Sequence, residues 1–387
     1  MSTQKAQSLH AVIFAGLVVA LAIAALVSAR SFRAPPVPDD VIDGRMAHAF
    51  ESHYDQAFPV RTFGISLWAA IDYTLFHEVR SGAVVGKDGW LYTDEEFSVP
   101  NDAIGELARN LALISWVREN LSRQDVRLIM AIVPSKARVY LEHLRTRVPP
   151  SLHQQLYGRV LGHCRGLGIV SPDLLETLTD GKRTGATFLR TDTHWTPFGA
   201  SLAADALASV ARQMLPRRSN SQGKFRIETS AAQTHRGDLL NFLPLEPYFA
   251  SLLPPPEPIQ VAKTIKDGGD EGGDLLGNAP MPEVALVGTS YSAERDWNFA
   301  GALEARLQRD VANYAKDGQG PFAPMIAYLK SDDFRTSKPK LVIWEVPERY
   351  LLAHQPLEQY HLPPEAFTIH AHNNTVFPGR SPRLLPV

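Results

Sequence analysis

A run of nineteen residues without a charge, Ala11 to Ala29 (AVIFAGLVVALAIAALVSA), constrains this chain before anything else does. An apolar helix of about 20 residues crosses a bilayer. The run reads either as one N-terminal transmembrane helix or as a secretory signal, since Val27-Ser28-Ala29 offers the small residues of a cleavage site. The apolar region of a cleaved signal is usually about 7–15 residues, so length favours an uncleaved anchor. Lys5 flanks one side and Arg30 and Arg33 the other, which leaves the orientation unmarked by charge. Either reading is compatible with a folded body outside the cytoplasmic membrane. The expected segments are an anchor or signal at 1–30, a stiff proline-rich spacer at 31–42 (RAPPVPDD), a folded body at 43–352 and a C-terminal tail at 353–387.

The body has ordinary globular chemistry: 44% of the chain is hydrophobic and 21% charged, enough apolar material for a sizeable core. A formal net charge of -2 argues against a nucleic-acid partner, which a basic excess would announce. The single cysteine, Cys164, excludes an intramolecular disulfide framework and a multi-cysteine metal site. Its surroundings, GHCRGLG, offer nothing to stabilise a thiolate, so it reads as structural.

Periodicity gives an alternation of strands and helices. Asp88-Gly89 signals a turn before the strand-like pair Trp90 and Tyr92. Helices are expected over 103–123 and 152–167, and over 196–215, where Thr196 caps, Pro197 opens the first turn, and Ala203, Leu207, Val210 and Met214 form one apolar face. Leu128 to Val133, the VALV run before Gly288, and LVIWEV within 339–351 are short apolar runs suited to strands buried on both faces. Residues 253–278, rich in Pro and Gly, read as a long surface excursion. The alternation predicts an α/β layered body around a mainly parallel sheet.

Two stretches carry chemistry. In VALVGTSYS, Ser290 falls just past a strand C-terminus, where open α/β sheets bind ligands. It does not sit in a G-x-S-x-G elbow, because Ser292 occupies the last glycine position. Alone, a serine after a strand is ordinary turn chemistry. In TDTHWTPFGA, Asp192 and His194 stand two apart, and on an extended segment such residues share a side. They suit the start of a helix equally well. Together, the two stretches hold a hydroxyl, a base and a carboxylate able to orient that base, which is the logic of an activated serine. Two ligands without a third cluster make a poor metal site, so none is expected.

These stretches, with GKDGWLYTDEEF, IVPSKARVY, THRGDLLNFLP, DWNFAGAL, DGQGPFAPM and LVIWEVPERYL, resemble the SGNH-hydrolase-like O-acetyltransferases of bacterial exopolysaccharide export, and within them the J-type alginate O-acetylases. The resemblance runs from about Asp43 to Leu351. It implies a flavodoxin-like three-layer fold in which Ser290 is the nucleophile, His194 the base and Asp192 its partner. The Asp-His element precedes the serine here, whereas ordinary SGNH hydrolases place the serine first, so the motif order is circularly permuted. The implied setting is the periplasm, on the inner membrane. The implied substrate is an anionic polysaccharide, polymannuronate or alginate. The implied acetyl donor is a membrane-bound acyltransferase within an export complex. Nothing resembles a coenzyme A site, and no cofactor is implied.

Further candidates follow from that reading. Asn298 could supply an amide to an oxyanion or cap a helix. Arg349 and Tyr350 follow a strand end and could meet the acetyl group or the sugar. Arg236, Lys136 and Arg138 could bind uronate carboxylates. Trp195 is a candidate for lining a sugar groove, ahead of Trp90 and Trp297, although tryptophans also fill cores. An acetyl esterase with the same triad and a non-catalytic polysaccharide-binding scaffold are the competing functions.

Overall fold

The computed structural model describes residues 3–33, 43–216, 224–267 and 281–368. Among these, packing divides the chain into two units, one drawn from Met1–Arg80 with Asn241–Leu253, the other from Ser81–Leu240 with Pro254–Val387. The expected body at 43–352 is therefore split, since residues 43–80 and 241–253 belong with the N-terminal helix. Most of the proline-rich spacer, 34–42, and the tail beyond 368 lie outside the described residues.

In the first unit, helix α1 spans Thr3–Arg30, and its His10–Arg30 portion is long and apolar enough to cross a membrane. Phe14, Leu17 and Leu26 are exposed along it, as lipid contact requires. Helices α2 (Arg45–Ala57) and α3 (Pro59–Ile71) follow, with Pro59 opening α3. Ser28 Oγ donates to Ala57 O at 3.1 Å and ties the end of α1 to the end of α2.

The second unit opens with a hairpin, β1 (Ala83–Val85) and β2 (Leu91–Thr93), turned by Asp88 and Gly89, both at positive φ. Then come α4 (Ala103–Ser122), β3 (Arg127–Val133), α5 (Lys136–Val139), α6 (Ser151–Gly166), α7 (Leu174–Gly181) and α8 (Pro197–Met214). Two antiparallel ribbons follow: β4 (Phe225–Thr229) with β7 (Ala262–Lys266), and β5 (Gln233–His235) with β6 (Glu257–Ile259). The chain closes with β8 (Val284–Val287), α9 (Ser290–Ala293), α10 (Phe299–Leu307), β9 (Val311–Asn313), α11 (Phe322–Lys330), α12 (Asp332–Thr336) and β10 (Leu341–Pro347).

The central sheet has the order β3-β10-β8-β9, with every pairing parallel. Its strands are apolar because both faces are covered. Ile129, Ala131, Val133, Val284, Leu286, Leu341 and Ile343 face one core with α7, α8 and α10. Their neighbours Met130, Ile132, Ala285, Val287, Val342, Trp344 and Val346 face the other, with α4, α6 and α11. The strand period of two thus sorts one continuous apolar run into two cores, and the three-layer α/β expectation holds.

Three sequence expectations change. On α8 the buried stripe is Ala200, Ala203, Ala204, Leu207, Ala208 and Ala211, while Val210 and Met214 are only partly buried, because small residues let α8 lie close to its neighbours. The stretch after 253 is not a plain excursion: it holds β6 and β7, and only its part from 268 lies outside the described residues. Packing also continues past 352, where Leu357 and Ala366 are buried in the second core.

Candidate active site

Ser290 stands where the strand pattern put it, at the C-terminal end of β8. Thr289 caps the short helix α9, its Oγ1 accepting from Tyr291 N. The turn is gripped from the neighbouring strand. Glu345, fully buried on β10, accepts from Thr289 N at 2.7 Å, from Thr289 Oγ1 and from Ser292 Oγ at 3.0 Å. Burial pushes the Glu345 carboxyl up to about 7, against these hydrogen bonds. Gly288 is required by close approach, since a Cβ there would stand 2.8 Å from Glu345 Cβ.

Across from the serine, His194 Nε2 lies 2.7 Å from Ser290 Oγ, and its Nδ1 lies 2.6 Å from Asp192 Oδ1. Nδ1–H donates to the carboxylate, which fixes the tautomer and leaves Nε2 as acceptor for the hydroxyl. The structure therefore brings together the three residues, 96 positions apart at their widest hydrogen bond. The local geometry differs from the expected extended segment. Residues 190–194 are bent, and Asp192 Oδ1 also accepts from His194 N at 2.9 Å. An aspartate turning on its own chain two residues on does what strand alternation was expected to do.

Asp192 has a second side. Its Oδ2 accepts from His235 Nε2 at 2.8 Å and from Asp238 N at 3.0 Å. Burial alone would raise its pKa, but the hydrogen bonds from His194 and His235 outweigh it and hold the carboxyl well below the usual range. The same contact raises the pKa of His235.

A loop with little regular structure needs its backbone polar groups satisfied from outside. Lys136, buried, donates from Nζ to Leu189 O at 3.0 Å, Arg190 O at 3.2 Å and Asp192 O at 2.6 Å. Burial lowers its pKa to about 8. Glu257 on β6 accepts from Arg190 N at 2.7 Å, Thr191 N at 2.8 Å and Thr191 Oγ1 at 2.9 Å. Asp238 accepts from Thr193 N, and Tyr291 Oη donates to Thr193 O. Beyond His194, Phe188 bridges Trp195, and Thr196 Oγ1 caps α8 through Gly199 N. The presenting segment is held residue by residue.

The other sequence candidates fare differently. Lys136 is a backbone clamp and faces no solvent groove, and Arg138 is committed to Glu348 and to the carbonyls of His153 and Gln154. Trp195 is fully buried between Tyr291 and Phe299, in the core and away from any groove. The Asn298 amide donates to Thr264 Oγ1 at 3.2 Å and is spent on β7. Arg349 is buried, pairs with Glu95 at 2.8 Å and donates to Tyr291 Oη at 3.2 Å, one layer behind the site. Tyr350, half-buried, lies under its guanidinium, and Arg236 is exposed. Trp90 packs against Tyr140 and His143. Trp297 is the tryptophan that reaches the site: it stacks on His194 with ring centres 5.5 Å apart and also borders a groove of about 590 Å³ with Phe198, Ile227, Pro258, Gln260 and Asn298.

Sequence reasoning missed Glu345, His235, Glu257 and Asp238. His235 and Asp238 stand in THRGD, a stretch in which only Arg236 was given a role, and only the fold brings them to Asp192. Asp192, His194 and Asp238 place candidate ligand atoms within 4.8 Å of one another. Each of those atoms already has a protein hydrogen bond, an arrangement that suits proton handling. Cys164 is buried, which pushes its thiol up to about 12 and fits a structural role.

The family model described as SGNH hydrolase-like domain, acetyltransferase AlgX matches residues 83–348, which include every residue of this site. A Pseudomonas aeruginosa protein described as "Probable alginate O-acetylase AlgJ" is 46% identical over 354 residues, covering 90% of each chain. One of the same description from Azotobacter vinelandii is 48% identical over 343 residues, covering 87% of each. The solved O-acetyltransferase domain of Pseudomonas putida AlgJ superposes with a TM-score of 0.67 at 44% identity, over 74% of this chain and 97% of that one.

Proposed function

The chain belongs to the SGNH hydrolase-like acetyltransferase family, and from that premise we propose that it moves acetyl groups onto hydroxyls of alginate through an acetyl ester on Ser290. It is an O-acetyltransferase of the alginate O-acetylase group. The observation that carries the mechanism is the unbroken hydrogen-bonded line from Ser290 Oγ through His194 to Asp192, at 2.7 and 2.6 Å.

In the first step Ser290 Oγ attacks the acetyl carbonyl of the donor while His194 Nε2 takes the hydroxyl proton. The donor's C–O bond breaks, and the leaving oxygen receives that proton. In the second step a sugar hydroxyl attacks the acetyl-serine and gives its proton to His194. The bond to Ser290 Oγ breaks, and His194 returns the proton to the serine. Asp192 remains ionised throughout, its depressed pKa keeping it a carboxylate that steadies the imidazolium twice per cycle.

Transfer outruns hydrolysis only when the acceptor hydroxyl is held better than water. The groove beside Trp297, with an aromatic wall and the amide of Gln260 on its lining, supports a place for the sugar. The apolar α1 fits an anchor, and modification of a polymer during export supports a periplasmic setting on the inner membrane. The acetyl donor would be a membrane-bound acyltransferase, and the other partners proteins of the export machinery.

The test is to incubate the full chain in detergent micelles with a chromogenic acetyl ester and de-acetylated polymannuronate, beside Ser290→Ala. Serine-dependent acetyl on the polymer, read by mass spectrometry, supports transfer. Serine-dependent release of free acetate alone turns the reading to an esterase. Polymer acetylation undiminished in Ser290→Ala would overturn the acyl-serine route.

A further inference from the structure

A carboxylate needs one imidazole to do the work described above, yet Asp192 holds two. His194 takes Oδ1 and His235 takes Oδ2, at 2.6 and 2.8 Å. His235 comes from the end of β5, an element inserted between α8 and β8 and outside the central sheet. Its side chain is 16% exposed, and the Trp297 ring meets it edge-on at 5.4 Å. Trp297 is therefore in contact with both histidines. The strand partner of His235 is Glu257, the residue that grips the backbone of Arg190 and Thr191. One small ribbon thus holds the presenting loop by its backbone and by the carboxylate at its tip.

The two contacts on Oδ2 fix the rotation of the carboxylate, so that Oδ1 is turned to His194. They also alter its charge as felt by His194. A cationic imidazole on one oxygen opposes the pull of the carboxylate on the imidazole at the other. A base that must give its proton back at the end of each half-reaction works best when its charged form is not held too strongly. The acidic groups acting on His235 are Asp192, Glu257 from β6 and Asp296 from the turn before α10, and together they favour its charged form.

We propose that His235 is a positioning residue of the transfer reaction, holding Asp192 so that one carboxylate is shared between two imidazoles. This rests on the reading of Ser290, His194 and Asp192 as the reacting line.

The experiment measures kcat and kcat/KM for chromogenic acetyl-ester turnover by the full chain between pH 5 and 9. It compares the parent with His235→Gln, His235→Leu and Ser290→Ala. Gln keeps a donor without a charge, so Asp192 pulls on His194 undivided. The acidic limb of kcat/KM then moves to higher pH by on the order of one unit. Leu removes the donor, and kcat falls by about tenfold or more with KM little changed, the mark of a group that acts in the transition state. If Leu also lowers the melting temperature, the Gln variant decides alone, because loss of packing does not move a pH limb. Both variants keeping the parent's limb and plateau, while Ser290→Ala is inactive, overturns the role of His235 and leaves the triad standing. Full activity in Ser290→Ala overturns both.

Discussion

Glu345 on β10 lies against Gly288, the residue just past β8, and the glycine leaves the space through which the carboxylate reaches the turn presenting Ser290. The two act as one feature of adjacent parallel strands. Gly288→Ala should push Glu345 aside, free Thr289 N and turn the serine. Overpacking at such a site costs about 1–3 kcal/mol. Turnover is expected to fall by about tenfold or more, with a lower melting temperature. A variant with parent turnover and parent melting would show that the approach is not needed.

The same carboxyl gives a pH signature. Its folded pKa is raised to about 7, while in the unfolded chain it titrates near the ordinary 4.5. Between these values the folded state holds the proton that the unfolded state has released, so stability falls as pH rises through that window. Glu345→Gln removes the dependence. The melting temperature of the parent relative to Glu345→Gln should drop from pH 4.5 to 7 and level off above. Parallel curves across the range would refute the assignment.

Lys136 makes a third prediction. Replacing it with Met removes a charge and strands three backbone acceptors. Leaving buried polar groups unmade costs about 1–3 kcal/mol each, less whatever water recovers. Lys136→Met should lose activity by about a hundredfold, and Lys136→Arg should not restore it, since the larger guanidinium does not fit a fully enclosed site. Activity within a few-fold of the parent in Lys136→Met would mean the loop holds itself.

Cys164 gives a control on the core. Its thiol is buried and its pKa raised to about 12, so the folded chain should resist a disulfide-exchange reagent at pH 8 and react at one equivalent only on unfolding. Fast labelling of the native protein would contradict its placement.

The layered sheet was legible because both-face burial leaves a plain mark, an apolar run ended by Gly or Pro, as at Leu128–Val133 and Val284–Val287. The Asp192–His194 pair was legible because its two members are local to each other. The supports were not. By sequence Lys136 is a cation just past an apolar strand, and only the fold shows it facing three carbonyls. Lys136 and Arg138 were misread as sugar-binding residues for that reason: charge marks a residue as polar, but the partner it finds can be fifty positions away or more. Trp195 was misread because an indole beside a histidine looks the same in sequence whether it faces a groove or a core.

The serine and its base differ in how they are held. Ser290 rises from a sheet whose strands are buried on both sides, whereas Asp192 and His194 hang on a loop secured by side chains from β5, β6 and α5. Elements with fewer buried apolar contacts open at lower free energy than the core that carries them. Heat should therefore separate the two halves of the proposed catalytic line while the sheet is still intact. In a temperature ramp, acetyl-ester turnover would fail several degrees before the far-ultraviolet dichroism changes, and on cooling from that interval the activity would return.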